Sequence, residues 1–205
     1  MKRIHLFLNQ FYSYTLKEGG EHFRIDPSSG FIYTQVKLDR ERQSLYHLIV
    51  EATDSNPANP RASRVNVTVN VGDVNDNSPL FSAASYTVYI ADGTRLGQFV
   101  FGASAVDADM GPNSQILYYL SGDDASQFNM NQDSGVIKAA ATLSGGDAAV
   151  YRLQIRASDN GTTPLSTTAS VEIRLKPADQ FPIIRTQEKP FFTFSEEVQY
   201  RSVSL

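Results

Sequence analysis

A pattern of alternating apolar residues occurs twice in this chain at a fixed offset. Tyr46-x-Leu48-x-Val50-x-Ala52-x-Asp54 returns as Tyr151-x-Leu153-x-Ile155-x-Ala157-x-Asp159, 105 positions on. A second pattern, Phe23-x-Ile25-Asp26-x-x-Ser29-Gly30-x-Ile32, returns as Phe128-x-Met130-Asn131-x-x-Ser134-Gly135-x-Ile137 at the same offset, and Pro79 and Pro182 stand 103 apart. A fixed period of this kind sets the architecture before any local reading does, and it implies a structural unit about a hundred residues long that is used more than once.

Within a unit the apolar residues recur every second position. Val65, Val67, Val69 and Val71 alternate with Asn66, Thr68 and Asn70, the signature of a strand with one buried face. Tyr86-Val88-Ile90, Leu153-Ile155-Ala157 and Val171-Ile173-Leu175 repeat it, and clusters such as Asp54-Ser55-Asn56-Pro57 and Asp159-Asn160-Gly161 punctuate the strands. No segment carries a convincing amphipathic helix. The expected fold class is therefore all-β, with tandem Greek-key, immunoglobulin-like β-sandwiches.

Acidic stretches mark the unit ends. Gly72-Asp73-Val74-Asn75-Asp76-Asn77-Ser78-Pro79 closes the first unit and Ala178-Asp179-Gln180-Phe181-Pro182 the second. The expected division is residues 1–77 as a first unit lacking its opening strands, 78–180 as a complete unit and 181–205 as the start of a third. The third is indicated by Phe192-x-Phe194-x-Glu196, which stands where Val88-x-Ile90-x-Asp92 stands in the second.

Composition narrows the function. Lys and Arg number 18 against 22 Asp and Glu, a net charge of −4, which offers no basic footprint for nucleic acid. With no Cys, disulfide scaffolds, zinc-thiolate sites and thiol nucleophiles are excluded. No apolar run reaches the ~18 residues of a membrane span, and the head Met1-Lys2-Arg3-Ile4-His5-Leu6-Phe7-Leu8 lacks the apolar length and small-residue cleavage site of a signal peptide. His5, His22 and His47 are scattered, with nothing resembling a catalytic triad, and no phosphate-binding Gly loop is present. The expectation is that the chain is not an enzyme.

The polar residues that need explaining are carboxylates and Asn amides at the unit ends: Asp39 and Glu41, Asp73 to Asn77, Asp107 and Asp109 with Asn113, and Asp159. Oxygen-rich sets suit a hard cation such as Ca²⁺, which takes ~6 to 8 oxygens from carboxylates, amides, backbone carbonyls and water. Taken singly, each motif reads equally well as turn chemistry, since Asp and Asn populate turns.

Taken together, Leu38-Asp39-Arg40-Glu41, Asp73-x-Asn75-Asp76-Asn77-x-Pro79-x-Phe81, Asp107-Ala108-Asp109-x-Gly111-x-Asn113 and Ala157-x-Asp159 resemble the calcium motifs of extracellular cadherin repeats. An EF-hand fits less well, because Asp107-x-Asp109-x-Gly111 puts Gly one place early and no closing Glu follows. The resemblance implies that Asp39, Glu41, Asp73 and Asp76, with the Val74 carbonyl, hold Ca²⁺ on the first unit's side of the linker. It assigns Asn75, Asn77, Asp107, Asp109, Asn113 and Asp159 to the second unit's side, Asn77 and Asn113 mainly through backbone oxygen. A Glu that the family supplies from the first strand of the first unit has no counterpart, and Asp54, which matches Asp159, is assigned to a preceding linker. Arg40, between two ligands, is read as an ion-pair partner within its own unit.

The second linker departs from this pattern. Leu143-Ser144-Gly145-Gly146-Asp147 replaces the Asp-Arg-Glu motif and Asp92 replaces the strand Glu, so that Asp92 and Asp179 alone stay in register, with Asp147 as a possible substitute. A calcium-poor, bent joint is expected there. Asn66-Val67-Thr68 and Asn160-Gly161-Thr162 are N-glycosylation sequons, meaningful in a secreted chain.

Two functions fit the resemblance. One is calcium-dependent cell-cell adhesion or recognition at the extracellular face of the plasma membrane, within a membrane-anchored parent whose partner is another cadherin ectodomain, homophilic or heterophilic. The other is a secreted calcium-binding structural spacer without a cell-surface partner.

Overall fold

In the computed structural model, the described residues are 12–56, 58–146 and 149–180. The expectations for residues 181–205, for the first eight residues and for Asp147 lie outside them. The first unit contributes β1 (Tyr12–Glu18), β2 (Phe23–Ile25), β3 (Ile32–Thr34), β4 (Leu45–Asp54) and β5 (Ala62–Asn70). The second contributes β6 (Leu80–Phe81), β7 (Ser85–Ala91), β8 (Phe99–Gly102), β9 (Ala105–Val106), β10 (Leu117–Ser121), β11 (Phe128–Met130), β12 (Val136–Ala139), β13 (Val150–Ser158) and β14 (Ser166–Lys176). The helical elements among these residues are short 3-10 turns such as Gly111–Ser114 and Ala178–Gln180.

The second unit is a two-sheet sandwich. One sheet runs β10-β13-β14-β7 and the other β11-β12-β8. The chain enters on β6, which pairs with β9, continues into β7, parallel to β14, crosses to β8, returns through β10, crosses again for the β11-β12 hairpin and closes with the β13-β14 hairpin. The alternating residues meet between the sheets: Leu153, Ile155, Val171, Ile173 and Leu175 are all essentially sealed from solvent, each contributing about 1.5–3 kcal/mol on burial.

The first unit reproduces part of this plan, with β1-β4-β5 as one sheet and β2-β3 as the remnant of the other. Register follows the repeat: Tyr46 faces Val69 and Leu48 faces Val67, as Tyr151 faces Ile173 and Leu153 faces Val171. Among the described residues nothing stands in the place of β6 to β9, and the cost falls on the apolar face. Val65 is 56% exposed, whereas Ala169, its counterpart by register, is 1% exposed.

The hairpin turns are built identically in both units. Asp26 Oδ1 accepts from Ser28 N, Ser29 N and Ser29 Oγ, and Gly30 takes φ 74°. Asn131 Oδ1 accepts from Asp133 N, Ser134 N and Ser134 Oγ, and Gly135 takes φ 68°. A side chain at Gly135 would also strike the Ala103 carbonyl, its Cβ falling 2.4 Å away. Both turns depend on an Asx side chain mimicking a backbone acceptor and on a residue free to enter the left-handed region.

Candidate metal centre

Four loops meet where the units join. The β3-β4 loop brings Asp39, Arg40 and Glu41, and the segment between β5 and β6 brings Asp73 to Asn77. Residues 107–113 follow β9, whose start is fixed by Ala105 N donating to the buried Tyr118 hydroxyl at 2.9 Å. The β13-β14 loop brings Asp159.

Carboxylate oxygens of Glu41, Asp76 and Asp109 lie within 4.8 Å of one another, two residues coming from the first unit and its linker and one from the second. Asp109 is the buried member, 6% exposed. The linker clasps it: Asn77 donates its backbone N–H to Asp109 Oδ2 at 3.2 Å and its amide to Oδ1 at 2.7 Å, while the same amide reaches Asp76 Oδ1 at 3.0 Å.

Deeper in the second unit, Asp159 is 2% exposed. Its Oδ1 accepts from Gly161 N and from Asn75 Nδ2, and its Oδ2 from Leu165 N. Asn75 therefore threads from the linker into this loop, where it also donates to the Thr163 carbonyl at 2.9 Å. A Cβ at Gly161 would stand 2.4 Å from Asn75 Nδ2 and 2.8 Å from Asn113 Oδ1, so only glycine leaves room for both amides.

Two oxygens in this region are buried without any hydrogen-bond partner, Asp107 Oδ2 and Asn75 Oδ1. Buried acceptors are ordinarily satisfied. Orphaned oxygens among carboxylates are what a hard cation requires and what a network of N–H donors would not leave, so the residues fit Ca²⁺. Asp107 carries the electrostatic consequence. Burial first, then the negative charges of Asp109, Asp159 and Asp73, push its carboxyl above the usual carboxylate range, against the hydrogen bond from Asp109 N.

Other expected ligands are engaged elsewhere. Asp39 Oδ1 accepts from Glu41 N and Arg42 N, an Asx turn that aims Glu41. Val74 O accepts from Asp76 N at 2.8 Å, tightening the linker. Asp73 Oδ1 lies 2.6 Å from Arg40 Nε and accepts from Met110 N, while Oδ2 accepts from Asn113 Nδ2 at 2.8 Å. Asp73, in the linker, thus ties the first unit to the second unit's 3-10 turn. Arg40 pairs with Glu41 and Asp73, as expected of an ion-pair partner in its own unit, and also donates to the Ala108 carbonyl at 2.7 Å across the junction. Neither that crossing nor the demand on Gly161 was visible in residue spacing.

At the other end of the second unit, Asp92 Oδ1 accepts from Gly145 N at 3.1 Å, closing the loop in which the Asp-Arg-Glu motif is missing. Asp179 sits exposed in its 3-10 turn.

The cadherin domain family model matches residues 8–72 and 86–176. The chain is 36% identical over 183 residues to protocadherin Fat 4 of Mus musculus, covering 89% of the chain but 4% of that protein. It is 33% identical over 179 residues to the protein dachsous of Drosophila melanogaster, covering 85% of the chain and 5% of that protein. Among solved structures, mouse cadherin-23 EC22-24 superposes with TM-score 0.74 at 31% identity, over 80% of this chain and 52% of that one. Protocadherin gammaB7 EC3-6, a cis-dimer structure, superposes with TM-score 0.72 at 29% identity, over 80% and 40%. With two matched copies of the domain, the sandwich topology and relatives of this similarity, the chain belongs to the cadherin domain family.

Proposed function

We propose that this chain works within a calcium-dependent ectodomain for cell-cell adhesion or recognition, its own part being to hold successive repeats in a fixed relation through Ca²⁺ at their junction. The carrying observation is that oxygens of Glu41, Asp76 and Asp109 converge within 4.8 Å from both sides of the junction. The proposed ligand set is Asp39, Glu41, Asp73, Asp76 and the Val74 carbonyl from the first unit and linker, with Asn75, Asn77, Asp107, Asp109, Asn113 and Asp159 toward the second. We also propose unit limits at 1–77, 78–180 and 181–205.

When bound, calcium supplies positive charge to a joint that otherwise gathers like charges. The chain's own residues do the positioning. The Asx turn of Asp39 presents Glu41, Asn77 orients Asp109, and Asn75 pins the linker against Asp159. With their oxygens within 4.8 Å of one another and Glu41 and Asp76 exposed, each carboxylate pair repels by about 0.9 kcal/mol at the dielectric of water, so the uncompensated cluster works against the closed joint. The carboxylates are structural rather than catalytic in this reading, since none is paired with a nucleophile.

The chain spans 4% of protocadherin Fat 4, and one structural neighbour is a cis-dimer, which favours another cadherin ectodomain as partner; an extracellular place within a membrane-anchored protein belongs to the same proposal. Calorimetric titration of Ca²⁺ into the metal-stripped chain should show saturable binding that Asp109→Ala weakens at least tenfold, about 1.4 kcal/mol. Binding untouched by that change contradicts the assignment.

A further inference from the structure

We propose that the Arg40 guanidinium, which bridges Glu41 and Asp73 at the junction, competes with calcium for those carboxylates, which makes Arg40 a built-in competitor that sets how much calcium the joint requires. The inference rests on the calcium reading above.

Three observations carry it. The Arg40 side chain is 11% exposed, whereas the other basic side chains in described ion pairs, Lys17, Arg64, Arg152 and Arg174, are 42–72% exposed. This one has been withdrawn into the joint rather than left on the surface, where ion pairs contribute little.

Its contacts are those of a bridging ion. Nη2 meets Glu41 Oε1 and the Ala108 carbonyl, and Nε lies 2.6 Å from Asp73 Oδ1. Glu41 belongs also to the three-carboxylate cluster, and Ala108 stands between Asp107 and Asp109. The guanidinium therefore links first unit, linker and second unit with a single positive charge.

The fit is incomplete. Arg40 Nε is buried and makes no hydrogen bond despite its short approach to Asp73, because its N–H does not point at the oxygen. A planar fork of donors is best matched by a bidentate carboxylate, and here it is spread over two carboxylates and a carbonyl. A charge held by attraction, with one donor unsatisfied, is poised to leave when a divalent cation offers the same carboxylates twice the charge. Each Glu41 or Asp73 oxygen that faces the guanidinium is shared charge that calcium must draw away, so the two cations compete for the same carboxylates.

The test is calcium titration calorimetry on the full chain, comparing wild type with Arg40→Gln, which keeps a donor for the Ala108 carbonyl and removes the charge. The expected result is calcium binding tighter by roughly fivefold or more. Uptake by the wild type that Arg40→Gln leaves unchanged or weakens overturns the inference alone. Absence of saturable uptake by the wild type overturns the calcium reading and the inference with it. A second readout guards against a folding defect. The chain has no Cys, so spin labels at Glu21→Cys and Asp133→Cys, both exposed, report the relation of the units. In chelator the distance distribution should be broader in Arg40→Gln than in wild type, and in calcium the two should coincide. Identical distributions in chelator overturn the proposal.

Discussion

Asp109→Asn should change sign with calcium. The substitution keeps the volume of the side chain and removes one charge from the cluster with Glu41 and Asp76, whose oxygens lie within 4.8 Å. At that separation each pair repels by about 3.5 kcal/mol at a dielectric of ~20 and about 0.9 kcal/mol at that of water. Glu41 and Asp76 are exposed, so the lower figure governs, and relief of two pairs is worth about 2 kcal/mol. Against it stands one of the two hydrogen bonds from Asn77, since an amide accepts on one atom only, a loss of about 1 kcal/mol. In chelator the variant should therefore be more stable than wild type by about 1 kcal/mol. In calcium the order should reverse, because wild type gains about 2.7 kcal/mol at a hundredfold excess over Kd and the variant forfeits most of it. Urea unfolding followed by tyrosine emission, with and without calcium, measures both. Equal destabilisation in the two buffers would refute the reasoning, since it would make Asp109 a packing residue indifferent to charge.

Gly161→Ala should loosen the joint without touching a carboxylate, because its Cβ falls 2.4 Å from Asn75 Nδ2; weaker calcium binding with unchanged unfolding of the second unit is expected, and unchanged affinity would count against Asn75 as the pin. Hydrogen bonds from Ser29 and Ser28, aided by Arg24, hold the Asp26 carboxyl below its usual range, so the stability it lends is present above the unfolded-state value and is lost as pH falls through the folded-state value. Asp26→Asn should remove that part of the acid limb of a stability-pH profile, since Asn131 makes the equivalent bonds in the second unit. Expression through a secretory pathway should add glycans at Asn66 and Asn160, both exposed, each mass shift abolished by Asn→Gln.

The architecture was legible because a period and a two-residue alternation act locally. Tyr46, Leu48, Tyr151 and Leu153 named their own strands, and the Asp26 and Asn131 turns announced themselves through Ser and Gly at fixed offsets. The acidic motifs could be collected by type, and Glu41, Asp76 and Asp109 do converge. What spacing did not disclose is how the loops interlock. Asn75 reaches a carboxylate 84 residues away and Arg40 a carbonyl 68 residues away, and such contacts depend on how two sandwiches dock rather than on any run of residues. Val65 has a different cause: its alternation declares a buried face, but it is exposed because nothing among the described residues takes the place of the opening strands that would cover it.

The most direct test is a crystal of this chain grown with calcium and examined for anomalous scattering at the junction. The account predicts ordered ions there, one of them bound by oxygens of Glu41, Asp76 and Asp109 at ~2.3 to 2.6 Å, with the Arg40 side chain moved away from Asp73. Well-ordered carboxylates at millimolar calcium with no ion among them, and Arg40 still between Glu41 and Asp73, would contradict it.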